Sequence, residues 1–114
     1  MVKPTFYLYR SNRKDKKYRL EMPAPYEHNH NFGAKSMRDY TLINNKQSEF
    51  YLPNKEDREK VKKAYLSRHK NDKGLGSLHA PSELSMVILW SAPTLAGGIR
   101  NYERKHNVRV KKMF

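Results

Sequence analysis

The chain has 114 residues, with 24 Lys and Arg against 11 Asp and Glu, a formal net charge of +13 and a pI near 10.0. Hydrophobic residues make up 37% and the mean hydropathy is -1.02, which suits one small domain with a modest core. No apolar run exceeds the one from Met86 to Trp90, far short of the roughly 18 to 20 residues that cross a bilayer, and the absence of cysteine excludes disulfides, thiol catalysis and thiolate metal sites.

The first residues, Met1-Val2-Lys3-Pro4-Thr5, contain no apolar segment of a secretory signal, so the chain reads as intracellular. Residues 1–57 carry a net +4 and residues 58–114 a net +9. A surface of this kind attracts phosphate backbones, acidic proteins or anionic lipid, and charge alone does not choose among them.

Phe6 and Leu8 alternate with Tyr7 and Tyr9, and Tyr18, Leu20 and Met22 alternate with Lys17, Arg19 and Glu21. That is the period of strands with one buried face, and with turn formers at 11–15 it predicts a β-hairpin, strands about 4–10 and 16–22. Pro23 and Pro25 each remove a backbone donor, so 23–31 reads as an irregular connection. A third strand is expected over 38–43, with Tyr40 and Leu42 on one face.

Asn54 is a helix cap with Asp57 as capping-box partner, and Val61, Ala64 and Tyr65 form the apolar side of the helix that follows. Glu56–Lys60 and Glu59–Lys63 are i,i+4 pairs in the favourable order. Gly74 and Gly76 make 71–79 a loop. Pro81 opens a short buried helix over 81–90 and Pro93 stops it. Thr94 caps a last helix to about residue 106, with Leu95, Ile99 and Tyr102 inward. Gly97 and Gly98 inside that helix cost about 1 kcal/mol each relative to Ala, a penalty tolerated for close backbone approach. Residues 107–114 are a basic C-terminal arm, an extended segment or an added strand. The fold class is α+β: a small single domain, 1–106, with an N-terminal antiparallel hairpin, a third strand and two to three short helices.

His28-Asn29-His30 lacks a third ligand and a general base nearby in sequence, and reads as a solvated loop. The carboxylates are scattered rather than clustered, and Gly74-Leu75-Gly76 lacks the lysine and hydroxyl of a phosphate loop. No catalytic residue, cofactor or metal is therefore expected. Lys60, Lys62, Lys63, Arg68 and Lys70, with Arg104, Arg109, Lys111 and Lys112, are the candidate contacts to an anion or an acidic partner. Tyrosines interleaved with bases, as in Tyr7-Leu8-Tyr9-Arg10 and Lys17-Tyr18-Arg19, suit base stacking, a protein interface or core packing.

Three blocks occur in a suggestive order: Phe32-Gly33-Ala34-Lys35 followed by Asp39-Tyr40-Thr41; Tyr65-Leu66-Ser67-Arg68-His69-Lys70; and Leu89-Trp90 with Pro93-Thr94-Leu95 and Ile99-Arg100. In order and spacing the stretch resembles a small protein family of large double-stranded DNA viruses of algae and protists. It departs from that pattern in a longer 45–55 connection, in Ser91-Ala92 where a polar and a basic residue are usual, and in Gly97-Gly98 where an acidic then a small residue is common. The resemblance carries no catalytic residues. It implies a virion setting, with host cytoplasm during assembly; with no catalytic constellation in the sequence and two chain ends that read as docking arms, the expectation is a non-enzymatic minor capsid or cement-like subunit bound to virion proteins such as the major capsid protein. The alternative is a basic protein that coats or packages viral DNA through the cations named above. Within the blocks, Gly33, Asp39, Tyr65, Trp90 and Thr94 read as scaffold: a turn or close approach, a hydrogen-bond acceptor, packing aromatics and a helix cap.

Overall fold

The computed structural model describes residues 2–114. Strands β1 (Thr5–Arg10) and β2 (Lys16–Met22) form the expected hairpin, with Leu8 opposite Leu20 and Tyr9 opposite Arg19. β3 (His28–Ala34) pairs antiparallel to β2, and β4 (Arg109–Lys112) pairs parallel to β1, giving a mixed sheet in the order β3-β2-β1-β4. The helical pieces are α1 (Tyr40–Ile43), α2 (Lys55–His69), α3 (Pro81–Leu84), which widens into a π-helical turn over Ser85–Leu89, and α4 (Leu95–His106). The fold is α+β, as the alternation and caps predict. No helix among the described residues is long and apolar enough to cross a membrane.

Two expectations are corrected. Residues 23–31 are not a long irregular connection: the prolines make one tight turn, in which the Tyr26 N–H donates to the Pro23 carbonyl, and the chain returns at once as β3. Residues 38–43 are not a strand. The Asp39 carboxylate accepts from the Leu42 N–H at 3.0 Å and so caps a helical turn, burying Tyr40 and Ile43 at i,i+3 spacing rather than Tyr40 and Leu42 at i,i+2. The tail also resolves into structure, since Arg109 N–H donates to Pro4 and Met113 N–H to Leu8. Phe114 then stacks on Tyr18, with Arg10 and Lys112 over its ring.

Register sorts the sheet into two unlike faces. Phe6, Leu8, Leu20, Met22 and Phe32 point to one side, where they meet Leu84, Ile88, Leu89, Trp90 and Tyr102 in the core. The other side contains no buried residue in any strand.

Two contacts hold the helical layer. Thr94 caps α4 by accepting from the Gly97 N–H, and the next residue, Gly98, lies directly on the Ile88 backbone, where a Cβ would collide with the Ile88 carbonyl. The expected close approach is thus located at Gly98. Glu83, 1% exposed, accepts from the Gly76 N–H at 2.8 Å and from His106 Nε2 at 2.7 Å, and pairs with the Lys105 ammonium at 2.6 Å. It ties the 71–79 loop and α3 to the end of α4. Burial by itself raises the Glu83 pKa, but Lys105, the Gly76 N–H and His106 outweigh it and hold the carboxyl below its ordinary 4.5.

These contacts set two expectations. Ala at position 98 gains about 1 kcal/mol of helix propensity, yet Gly98→Ala will lower unfolding stability by about 2–3 kcal/mol through overpacking, measured by urea unfolding. The Glu83 pKa is lower in the folded chain than in the unfolded one, so its contribution is full above about pH 4.5 and is lost as pH falls through the folded value. Glu83→Gln will therefore cost stability at pH 7, and the gap to the wild type will narrow as the pH is lowered below 4.5.

Candidate functional site

The face of the sheet opposite the core is built from the odd positions of the hairpin and their neighbours. Across it run Lys111, Tyr7, Glu21 and Asn29 in one row and Tyr9, Arg19 and Asn31 in the next, with Arg109 beside Thr5. Tyr7 and Tyr9 are two residues apart on one strand, so their rings rise from the sheet about 7 Å apart. Neither packs on the core. The Arg19 guanidinium lies 4.7 Å from the Tyr9 ring centroid, and its Nε is shielded without a hydrogen-bond partner among the described residues. Arg19, Arg109 and Lys111 enter no ion pair among the described residues. With Glu21 included, this face carries a net positive charge on an aromatic platform.

The candidate cations fall into separate groups. Lys60, Lys62, Lys63, Arg68 and Lys70 belong to α2 or its C-terminal end, where Lys62 sits over the Tyr40 ring at 4.5 Å. The expected pairs within α2 do not form. Glu59 instead accepts from the Tyr40 hydroxyl at 2.6 Å. Arg104 and Arg109 are brought together, with Lys3 and Arg100, around a shallow depression of about 290 Å³. Strand alternation sends Arg109 and Lys111 to the open face and Lys112 to the other, over Phe114. The sequence names Arg109, Lys111 and the Tyr7–Tyr9 and Arg19 segments separately, and the strand register is what brings them onto one face. The signal was present in the alternation of Tyr7, Tyr9 and Arg19 against the buried positions.

The three sequence blocks meet at one cleft of about 330 Å³ between α2 and the end of β3. Tyr65 stacks on Trp90 at 4.0 Å and 6°, and burial, with the charges of Asp72 and Asp39 adding, pushes the Tyr65 hydroxyl up to about 12. Asp39 is engaged three times, as the cap of α1 and as acceptor from the Thr41 hydroxyl and from Lys17 Nζ at 2.8 Å. At Gly33, with φ +77°, a side chain would strike Leu89. Gly33, Asp39, Tyr65 and Trp90 line this cleft, and Thr94 lies apart from it at the start of α4.

His28 and His30 are half-buried on β3 rather than in a solvated loop, and they share the core-side face with Phe32. His79, from the loop before α3, stacks on His28 at 4.1 Å. One ligating nitrogen from each of the three lies within 4.8 Å of the others. Burial, and then the neighbouring His28 and His79, lower the pKa of His30. Sequence reading found the His28-x-His30 pair but not its third member, which is distant along the chain.

No family model, curated protein or solved structure matches this chain, so the viral resemblance rests on the three sequence blocks.

Proposed function

We propose that this chain is a non-enzymatic nucleic-acid-binding protein that holds single-stranded segments on the open face of its sheet. The observation that supports it is the joint placement of Tyr7 and Tyr9 with Arg19, Arg109 and Lys111, which enter no ion pair among the described residues, on the face of the sheet that no core residue occupies. Unpaired bases stack on exposed aromatic rings, and flanking cations neutralise the backbone and release counterions. A duplex hides the faces of its bases, so the aromatic pair favours a single strand.

In the viral setting that the resemblance implies, such a protein would coat or package the genome. The cement-like reading draws on the resemblance, on the lack of a catalytic constellation in the sequence and on two chain ends that read as docking arms. β1 and β4 pair with each other, so both ends of the chain belong to one sheet edge.

Fluorescence anisotropy with a labelled oligonucleotide at several salt concentrations tests the proposal. Binding to a single strand will exceed binding to a duplex of equal length. Tyr7→Ala and Tyr9→Ala will each weaken it by about 1–3 kcal/mol with an unchanged salt slope, because stacking is not ionic. Arg109→Gln with Lys111→Gln will flatten the log-log salt slope by about 1.4, at roughly 0.7 for each phosphate contact on a single strand. Loss of binding on changing Lys60, Lys62 and Lys63 to Gln, with the tyrosine variants unaffected, would place the contact on α2 and refute the proposal.

A further inference from the structure

His28 and His30 project from the same side of β3, and the loop that follows α2 lays His79 against them. The three rings are nearly parallel, within 18–20° of one another. His30 Nε2 is fully shielded and has no hydrogen-bond partner among the described residues. A buried imidazole nitrogen left without a partner is costly, and native structures ordinarily satisfy such an atom. The other two histidines of the fold have carboxylate partners: His69 meets Asp72 at 2.7 Å and His106 meets Glu83 at 2.7 Å. Among the described residues, none of the three enters an ion pair with a carboxylate.

We propose that His28, His30 and His79 bind one divalent first-row transition-metal ion, with zinc as its reference occupant, through three imidazole nitrogens and a fourth position open to water. Zinc lies about 2.0–2.1 Å from each histidine nitrogen in a tetrahedral site, so the nitrogens must approach to about 3.4 Å. Closing from the present 4.8 Å limit takes ring rotation about χ2 in the strand histidines and a small shift of His79 on its loop. Parallel rings cannot all aim a lone pair at one point, so that rotation is part of binding. The donor set selects the metal class. Three neutral nitrogens without carboxylate or thiolate suit zinc, nickel, cobalt or copper rather than magnesium or calcium. In a chain without cysteine, the ion would tie the edge strand β3 to the 71–79 loop, where Glu83 already anchors Gly76.

The test uses the full chain, stripped with EDTA and titrated with Zn²⁺ by calorimetry and with Co²⁺ by visible absorption. One equivalent is expected to bind, with tetrahedral-type cobalt bands and a melting temperature raised by roughly 10 °C at a hundredfold excess over Kd. His79→Asn should weaken Zn²⁺ by at least about tenfold, and His69→Asn should leave it unchanged. His79 is partly exposed, so its variant should keep the apo melting temperature. Should that variant nonetheless melt lower, histidine-ring NMR of the wild type decides, because Zn²⁺ must shift the His28, His30 and His79 signals together. Absence of one-equivalent binding, ring shifts confined to His69 or His106, or equal affinity in a folded His79→Asn variant would overturn the assignment.

Discussion

The structure depends on a sheet that is covered from one side. Period-two alternation sends Phe6, Leu8, Leu20, Met22 and Phe32 to a common face, and the residues that meet them come from the 81–90 helical segment and α4. A core this small cannot be shared between two sheet faces, since a domain of this size buries only about two thirds of its unfolded surface. The residues left on the opposite side, Tyr7, Tyr9, Arg19, Arg109 and Lys111, therefore stay available to another molecule. The function proposed for the chain and the distribution of its core are consequences of the same alternation.

The cover is held at few points. Gly98 lets α4 settle on the Ile88 backbone, Thr94 fixes where α4 begins, and the Tyr102 hydroxyl donates to the Leu78 carbonyl. Glu83 collects three donors from different parts of the chain, so a single buried carboxylate coordinates loop and helix. Such a group is worth keeping only while all its partners are present, because removing one leaves a buried charge or donor uncompensated. α2 is different. None of its residues is fully buried, and its main aromatic anchor is the Tyr65–Trp90 stack. That leaves the most basic helix largely solvated, held by Val61 and Tyr65 against the core and by the Tyr40–Glu59 hydrogen bond.

Much of this was legible in the sequence where one local signal decided the outcome. The hairpin follows from alternation, α2 from Asn54, α4 from Thr94, and the tight crossing from a Gly-Gly pair that no helix would otherwise favour. The failures have physical causes too. β3 was hidden because histidine and asparagine hold its alternating positions, so period two carries no hydrophobic contrast there. α1 was hidden because Tyr40 and Leu42 mimic a strand until Asp39 is recognised as a cap. β4 requires a partner from the other end of the chain, and the meeting of His79 with His28 and His30 is a tertiary fact. The candidate cations were legible one by one, but their division between α2 and the open sheet face depends on the pairing of β4 with β1.

The most direct measurement is residue-level mapping by NMR, adding an unlabelled single-stranded oligonucleotide to the isotope-labelled chain. The account predicts that the largest amide and side-chain shifts fall on Tyr7, Tyr9, Arg19, Arg109 and Lys111, with α2 nearly still. Shifts concentrated on α2, or none at saturating oligonucleotide, would contradict it.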